Sequence, residues 1–289
     1  NPADLPSIEE LKKKVKDFAD NLMELKETPM IEEYYTGPVL FEGGAASRLF
    51  TDNLLSPGRL LALRTMAPAR VMLDEQLGRR IIDSRLTVKN YTTLAEYNGT
   101  PLFGCYEIDG DGVVPAAELT LVENGVFKRM LNGRVPTLKA PESTGSARFM
   151  ISPDNPMAIV SPGTIHVQAS KGVGPEKLKK ALLKAAKEAD LEYAYIVRRI
   201  GGEASAVYKV NVKDGKEIRV RVNNLSAPEL TKLMDLKGIS SDERVMNYFP
   251  NGVPASLIYP SAIIVGDVEI NRTTPKIEEE PVLKHPLQR

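Results

Sequence analysis

Residues 36–50 read Thr-Gly-Pro-Val-Leu-Phe-Glu-Gly-Gly-Ala-Ala-Ser-Arg-Leu-Phe, and this stretch restricts the fold more than any other in the chain. Val39, Leu40 and Phe41 form a short apolar run after a Gly-Pro turn, which reads as a strand. Gly43-Gly44 breaks the run. Ala46, Leu49, Phe50 and Leu54 then return at i, i+3, i+4 and i+8, with Ser47, Arg48, Thr51 and Asp52 on the other side. A strand therefore feeds an amphipathic helix, with one face for packing and one free for chemistry.

Upstream, Ser7-Ile8-Glu9-Glu10 is a capping box, in which hydroxyl and carboxylate satisfy open amides of the first helical turn. Leu11, Val15, Phe18, Leu22 and Leu25 come next at i, i+4, i+7, i+11 and i+14, predicting an amphipathic helix that ends an upstream domain or braces the next. Its lysines and acids read as a solvated face. Downstream the texture turns to strands. Residues 80–88 alternate and close at the turn residues Asn98-Gly99-Thr100-Pro101, whereas 59–72 has no clean period. Asn124-Gly125 permits the positive φ angles of a tight hairpin within 116–131. A short strand at 165–169 carries His166. Pro175 opens a helix with Leu178, Leu182, Ala185 and Ala189 on its buried stripe. A strand at 192–200 leads to a second hairpin, in which Tyr208, Val210 and Val212 face Ile218, Val220 and Val222 across Asp214-Gly215. A short helix near Ser226 and late strands at 256–259 and 261–270 precede a polar tail.

This pattern lacks the strand-helix alternation of a doubly wound parallel sheet. The expected fold class is α+β: a strand-rich, mainly antiparallel sheet or barrel-like domain with flanking helices. Three segments are expected, a helix and linker over 1–33, the main domain over 34–272 and the tail over 273–289.

The 289 residues, 42% hydrophobic and 26% charged, suffice for a substantial core. The 38 basic residues balance 38 acidic ones, so no net field draws nucleic acid or an anionic membrane. Cys105 is the only cysteine, which excludes an internal disulfide framework and a multi-cysteine zinc site. Within Leu-Phe-Gly-Cys-Tyr it reads as a buried, inert thiol. No run approaches the ~18 apolar residues of a membrane span, and no signal peptide is visible. From the abrupt opening at Asn1-Pro2 the chain is expected to be the C-terminal portion of a longer protein. A cytoplasmic location is expected, unless an upstream segment carries another address.

Zinc hydrolysis needs two or three imidazoles, or imidazoles with a carboxylate or thiolate, around one open position. The chain has only His166 and His285, far apart and neither in a His-Glu pair. A Ser-His-Asp triad would need one of the same two, and there is no Gly-x-Ser-x-Gly elbow. No Walker sequence occurs. Asp109-Gly110-Asp111-Gly112 reads as a tight turn, because a calcium loop needs a glutamate at its twelfth position. Residues 141–148 form a polar loop with little propensity for regular structure.

Several of these motifs, in order, resemble the C-terminal domain of the TldD/PmbA family. The carriers are Tyr35-Thr36-Gly37-Pro38-Val39-Leu40-Phe41-Glu42 with its helix, the turn at 104–113, and Leu121-Val122-Glu123-Asn124-Gly125-Val126-Phe127. Ser143-Thr144-Gly145-Ser146-Ala147-Arg148 is the most specific, and the closing strands at 253–270 complete the set. Active TldD-type members carry His-Glu-x-x-x-His on the helix after the anchor strand, with a later cysteine completing a zinc site. The imidazoles would hold the metal, and the glutamate would act as general base for its water. Here the matching six residues are Thr51-Asp52-Asn53-Leu54-Leu55-Ser56, and the cysteine position falls in Asn247-Tyr248-Phe249-Pro250. Thr51, Asp52 and Ser56 are thus a degenerate metal motif, and two histidines cannot restore it in any alignment.

The resemblance implies the TldE/PmbA branch: a non-catalytic subunit of a TldD-type zinc metallopeptidase of peptide processing, with zinc in the partner and none bound by this chain. Expected partners are a TldD-type subunit or a second copy, and an extended peptide along exposed strand edges. Ser143, Thr144, Gly145 and Arg148 are the candidate peptide-groove loop. Two other readings stand beside this one. The first is a metal-free peptide-binding or structural homo-oligomer. The second is a peptidase using the hydroxyl and carboxylate groups of Thr51, Asp52, Ser143 and Thr144. The gyrase-modulator label of relatives finds no support for DNA binding in the charge balance.

Overall fold

The apolar run of the anchor becomes strand β1 (Tyr35–Glu42), which lies inside a six-stranded sheet covered on both faces. Val39 and Phe41 enter one hydrophobic cluster and Leu40 another, which explains a run that does not alternate. The computed structural model describes residues 6–31, 33–63, 73–150, 157–201, 205–222 and 225–271. The tail expected from 273 and most of the aperiodic stretch at 59–72 lie outside these residues.

The first sheet has the order β12 (Glu217–Val220), β11 (Ala206–Asn211), β10 (Tyr193–Arg199), β1, β16 (Ala262–Ile270) and β13 (Leu236–Ile239). The second has the order β14 (Glu243–Tyr248), β15 (Ala255–Pro260), β9 (Thr164–Ala169), β2 (Leu86–Tyr91), β5 (Glu118–Glu123) and β6 (Val126–Phe127). Two small hairpins join β3 (Glu96–Tyr97) to β4 (Thr100–Pro101) and β7 (Ala147–Met150) to β8 (Met157–Val160). The class is α+β, with antiparallel pairs in the majority. Two pairs are parallel: β1 with β10, setting Leu40 beside Ile196, and β15 with β9, setting Ile258 beside His166. Among the described residues neither sheet closes, so two open sheets replace the barrel alternative.

Helix α2 (Gly44–Leu54) places Ala45, Ala46, Leu49, Phe50 and Leu54 in the main cluster, together with residues of both sheets. Ser47, assigned by pattern to the free face, is buried, and its hydroxyl donates to the Gly44 carbonyl at 2.8 Å. Helix α3 (Pro175–Glu188) packs against the first sheet through Leu178, Leu182 and Ala186. The expected stripe ran through Ala185 and Ala189. The i, i+4, i+8 row ends instead at Ala186, while Ala189 is an exposed cap beyond the helix.

Helix α1 (Ile8–Glu27) begins with the capping box: Ser7 Oγ accepts the Glu10 amide at 3.3 Å, and Glu10 Oε2 accepts the Ser7 amide at 2.8 Å. Its last turn is anchored to the sheet edge. Arg219 pairs with Glu24 at 2.6 Å, and Arg221 donates to the Leu25 and Thr28 carbonyls. Among the described residues no helix is long and apolar enough to cross a membrane.

Three further expectations change. The strand expected over 80–88 begins only at Leu86, because Asp83 is drawn inward to bond Arg85 and the amide of Leu236. Cys105 is exposed, not buried. Leu102 and Gly104 face inward, which turns Phe103 and Cys105 outward. In the second hairpin Tyr208, Val210 and Val212 pack on the α3 side as one row, but the register sets Val210 beside Glu217 and Val207 beside Val220, so the apolar row of the other arm lies on the opposite face and its Ile218 is exposed. The Asn124-Gly125 turn forms with φ of 47° and 78°. Asp109 closes its own turn by accepting the amides of Asp111 and Val113.

Candidate functional site

Gly43, at φ 54°, turns the chain from β1 into α2 and sets which way the helix faces. Of the degenerate motif, Thr51 and Asp52 lie on the last turn of α2 and Ser56 just beyond its end. Asp52 Oδ2 receives both Nε and Nη2 of Arg48 at 2.9 Å. The Thr51 hydroxyl donates to Asp52 Oδ1 at 3.1 Å, and the Ser56 hydroxyl donates to the Asp52 carbonyl at 3.3 Å. This donor set does not fit zinc. Its one carboxylate is neutralised by a guanidinium, and neutral alcohols supply neither the softness nor the charge of imidazole or thiolate. Among the described residues no group of three His, Cys, Asp or Glu converges closely enough to hold a metal.

A pocket of about 210 Å³ forms beside this turn. Leu55 and Pro57 enter it from the end of α2, Leu61 from the loop beyond, Ile159 and Val160 from β8, and Pro250 with Asn251 from the turn after β14. Leu55 and Pro250 belong to the two segments that the resemblance matched to the zinc ligands. The fold therefore brings those segments to one place, and lines it with aliphatic carbon. One polar group stands out. Ser161 lines the pocket at 2% exposure, and its hydroxyl has no hydrogen-bond partner among the described residues. A buried unmet hydroxyl costs about 1–3 kcal/mol, so a ligand that bonds it recovers that energy.

The 143–148 loop supports this pocket from behind. Thr144 Oγ1 accepts the Asn132 amide at 2.7 Å, and the Tyr106 hydroxyl donates to the Gly145 carbonyl at 2.8 Å. Ser143 Oγ accepts the Gly145 amide at 3.1 Å. The Arg148 guanidinium stacks 4.1 Å above the Tyr106 ring and reaches the Pro254 carbonyl at 3.4 Å. The Ser146 carbonyl then accepts the Ser161 amide at 3.0 Å, and β7 carries β8 into the pocket wall. Ser143, Thr144, Gly145 and Arg148 do not line the pocket themselves.

Sequence reasoning missed a polar cluster on the face of the second sheet turned away from the main hydrophobic cluster, which Ile165 and Val167 enter on either side of His166. His166 Nε2 lies 2.9 Å from Glu243 Oε1, and the Tyr97 hydroxyl donates to Glu243 Oε2. The Glu243 bond, reinforced by burial, pushes Tyr97 up to about 12. Burial raises Glu243, but the bonds from His166 and Tyr97 outweigh it, so its carboxyl sits below the ordinary value. The three residues come from separate strands, and Glu243 lies in a strand with no clear pattern of its own. Only the alternation around His166 was a usable signal. The pocket left a weaker one, since Pro250-Asn251 and Leu55 carry no chemistry until they meet.

A model described as the PmbA/TldA metallopeptidase C-terminal domain matches residues 34–271. Among solved structures, the chain is similar to TldE from Thermococcus kodakarensis, with a TM-score of 0.56 and 18% identity over 83% of this chain and 51% of that one. A Bacteroides thetaiotaomicron protein carrying the DNA gyrase modulator designation is similar at a TM-score of 0.49 and 13% identity, over 87% and 51%. The chain spans about half the length of the solved structures it matches. No curated protein matches it.

Proposed function

The chain belongs to the PmbA/TldA metallopeptidase C-terminal domain family, and from that premise we propose that it is a non-catalytic, TldE-type subunit that holds peptide for a zinc-bearing TldD-type partner. The observation that carries this reading is the pocket. The two segments matched to the metal ligands meet around aliphatic carbon and one unmet hydroxyl, while the neighbouring carboxylate is closed by Arg48. Such a pocket suits one apolar side chain of a peptide, with Ser161 Oγ available to a peptide carbonyl or amide. Nothing in the donor set polarises a carbonyl or activates water. The contribution of this chain is binding and orientation, and cleavage is left to the partner.

The test pairs elemental analysis with peptide cleavage, on the purified chain alone and mixed with TldD-type subunits. The expected result is neither zinc nor cleavage alone, and both in the mixture. Ala158→Phe, which fills the pocket from β8, is expected to weaken binding of a fluorescent apolar peptide about tenfold while leaving the unfolding transition in place. Stoichiometric zinc in the isolated chain would overturn the reading, and so would peptide affinity indifferent to the filled pocket.

A further inference from the structure

Arg148 carries a charge that the fold does not answer. Its Nη1 is buried without a hydrogen-bond partner, and among the described residues no carboxylate pairs with its guanidinium. Asp109 reaches the adjoining Ala147 amide with Oδ2 and spends Oδ1 on the amides of Asp111 and Val113. Burial pushes the Arg148 guanidinium below its usual value. A buried cation without a counter-charge is costly to keep, so its presence points to an anion supplied from outside the chain. The Tyr106 ring covers the flat face of the guanidinium at 4.1 Å, which leaves the edges, where the N–H groups point, to a planar acceptor.

The register of β7 and β8 sets Arg148 across from Ile159, and the Ser161 amide continues the ladder to the Ser146 carbonyl. Opposed residues share a face, and so do residues two apart on one strand. Arg148, Ile159 and Ser161 therefore stand on one face of this strand pair. The diagonal from Arg148 to Ser161 spans roughly 7–8 Å, within reach of a long side chain. Ile159 and Ser161 line the pocket, and Arg148 stands in the row behind them. Two unmet polar groups, Ser161 Oγ and Arg148 Nη1, thus share the face of the hairpin that walls an otherwise aliphatic cavity.

We propose that the pocket selects peptide carboxylates: an apolar side chain fills the aliphatic walls, while a carboxylate beside it accepts from the Ser161 hydroxyl and from the edge of the Arg148 guanidinium. This rests on the peptide-holding reading above and names its ligand class. The carboxylate belongs to an acidic side chain or to the free end of a peptide, and in either source two in-plane oxygens meet two donors. A chain-terminal apolar residue brings both parts at once.

The experiment is fluorescence anisotropy of the whole chain with three labelled peptides that share one leucine anchor. The first is neutral with an amidated end, the second is the same with a free end, and the third is amidated with a glutamate beside the anchor. At least one carboxylate peptide is expected to bind about tenfold tighter than the neutral amide, and the arm that gains names the source. R148M removes the gain, so that all three bind alike; because it replaces an unpaired charge with carbon, its unfolding temperature should not fall. S161A keeps the guanidinium and should reduce the gain to about threefold. Equal affinity of the three peptides for the unmodified chain overturns the proposal, and so does a gain that survives R148M. With either result the peptide-holding reading stands as long as Ala158→Phe weakens the neutral amide. If no peptide binds, or if Ala158→Phe changes none of the three, that reading falls and this proposal falls with it.

Discussion

Asp52 gives its carboxylate to Arg48, one turn earlier on the same helix face, with two guanidinium nitrogens 2.9 Å from one oxygen. By the resemblance to the family's His-Glu-x-x-x-His motif, Asp52 is the residue matched to its glutamate. The local chemistry is a surface ion pair. Replacing Arg48 by alanine should lower stability by no more than about 0.5 kcal/mol, as exposed i, i+4 pairs do. Neither the unmodified chain nor R48A should retain zinc after dialysis, because freeing one carboxylate supplies no imidazole. Stoichiometric zinc in R48A would show that the ion pair alone had closed a competent site.

Asp83 joins three separate pieces of backbone and side chain. Burial alone would raise its carboxyl, but the Arg85 guanidinium, the Arg85 amide and the Leu236 amide together bring it down to about 2. A lowered carboxylate contributes stability above its unfolded value of 3.8 and loses that contribution as pH falls through 2. The acid limb of the stability curve should therefore show a loss of about 2 kcal/mol between roughly pH 4 and pH 2. D83N should lower stability near neutrality by about 2–3 kcal/mol and flatten that limb, as read by urea unfolding at a series of pH values.

Tyr97 and Glu243 fasten the small β3–β4 hairpin onto the second sheet beside His166. Tyr97 keeps its proton until about 12 because ionising it would set two anions in contact. In E243Q that repulsion is gone, and one tyrosine should ionise near the ordinary value of 10. Absorbance titration against Y97F reads the difference. Amide exchange over residues 96–104 should accelerate in the same variant. An unchanged titration would place the Tyr97 hydroxyl elsewhere in solution.

Gly104 passes so close to Gly163 that a Cβ there would lie 2.3 Å from the Gly163 carbonyl carbon. Backbone is on both sides, and the Gly104 amide donates to Ser256 Oγ at 3.2 Å, so neither side yields cheaply. G104A should cost on the order of 3 kcal/mol by overpacking, measured by thermal unfolding. G99A, where nothing lies within 4 Å, serves as the comparison and should cost less; its φ of 77° still imposes some backbone strain.

Turn chemistry and periodicity were legible wherever the cause is local. Asn124-Gly125 bends because both residues tolerate positive φ, Ser7 and Glu10 cap because they are three residues apart, and the run at Val39 extends because both its faces are apolar. The census of two histidines was likewise read directly from the chain. Other assignments failed for one shared reason. Ser47 and Cys105 were placed by their immediate neighbours, whereas their burial is set by which segment lies across from them.

The sequence by itself determined that β1 leads into a helix without zinc ligands, and that hairpins dominate the chain beyond that helix. Only the tertiary structure decided that Leu55 meets Pro250 around a pocket, that Glu243 finds His166 across 77 residues, and that Arg148 shares a strand-pair face with Ser161. Backbone propensity acts over a few residues and is encoded in them. Burial and charge pairing act through space, and the same side chain is a core residue, a ligand wall or an exposed group according to which remote segment packs against it.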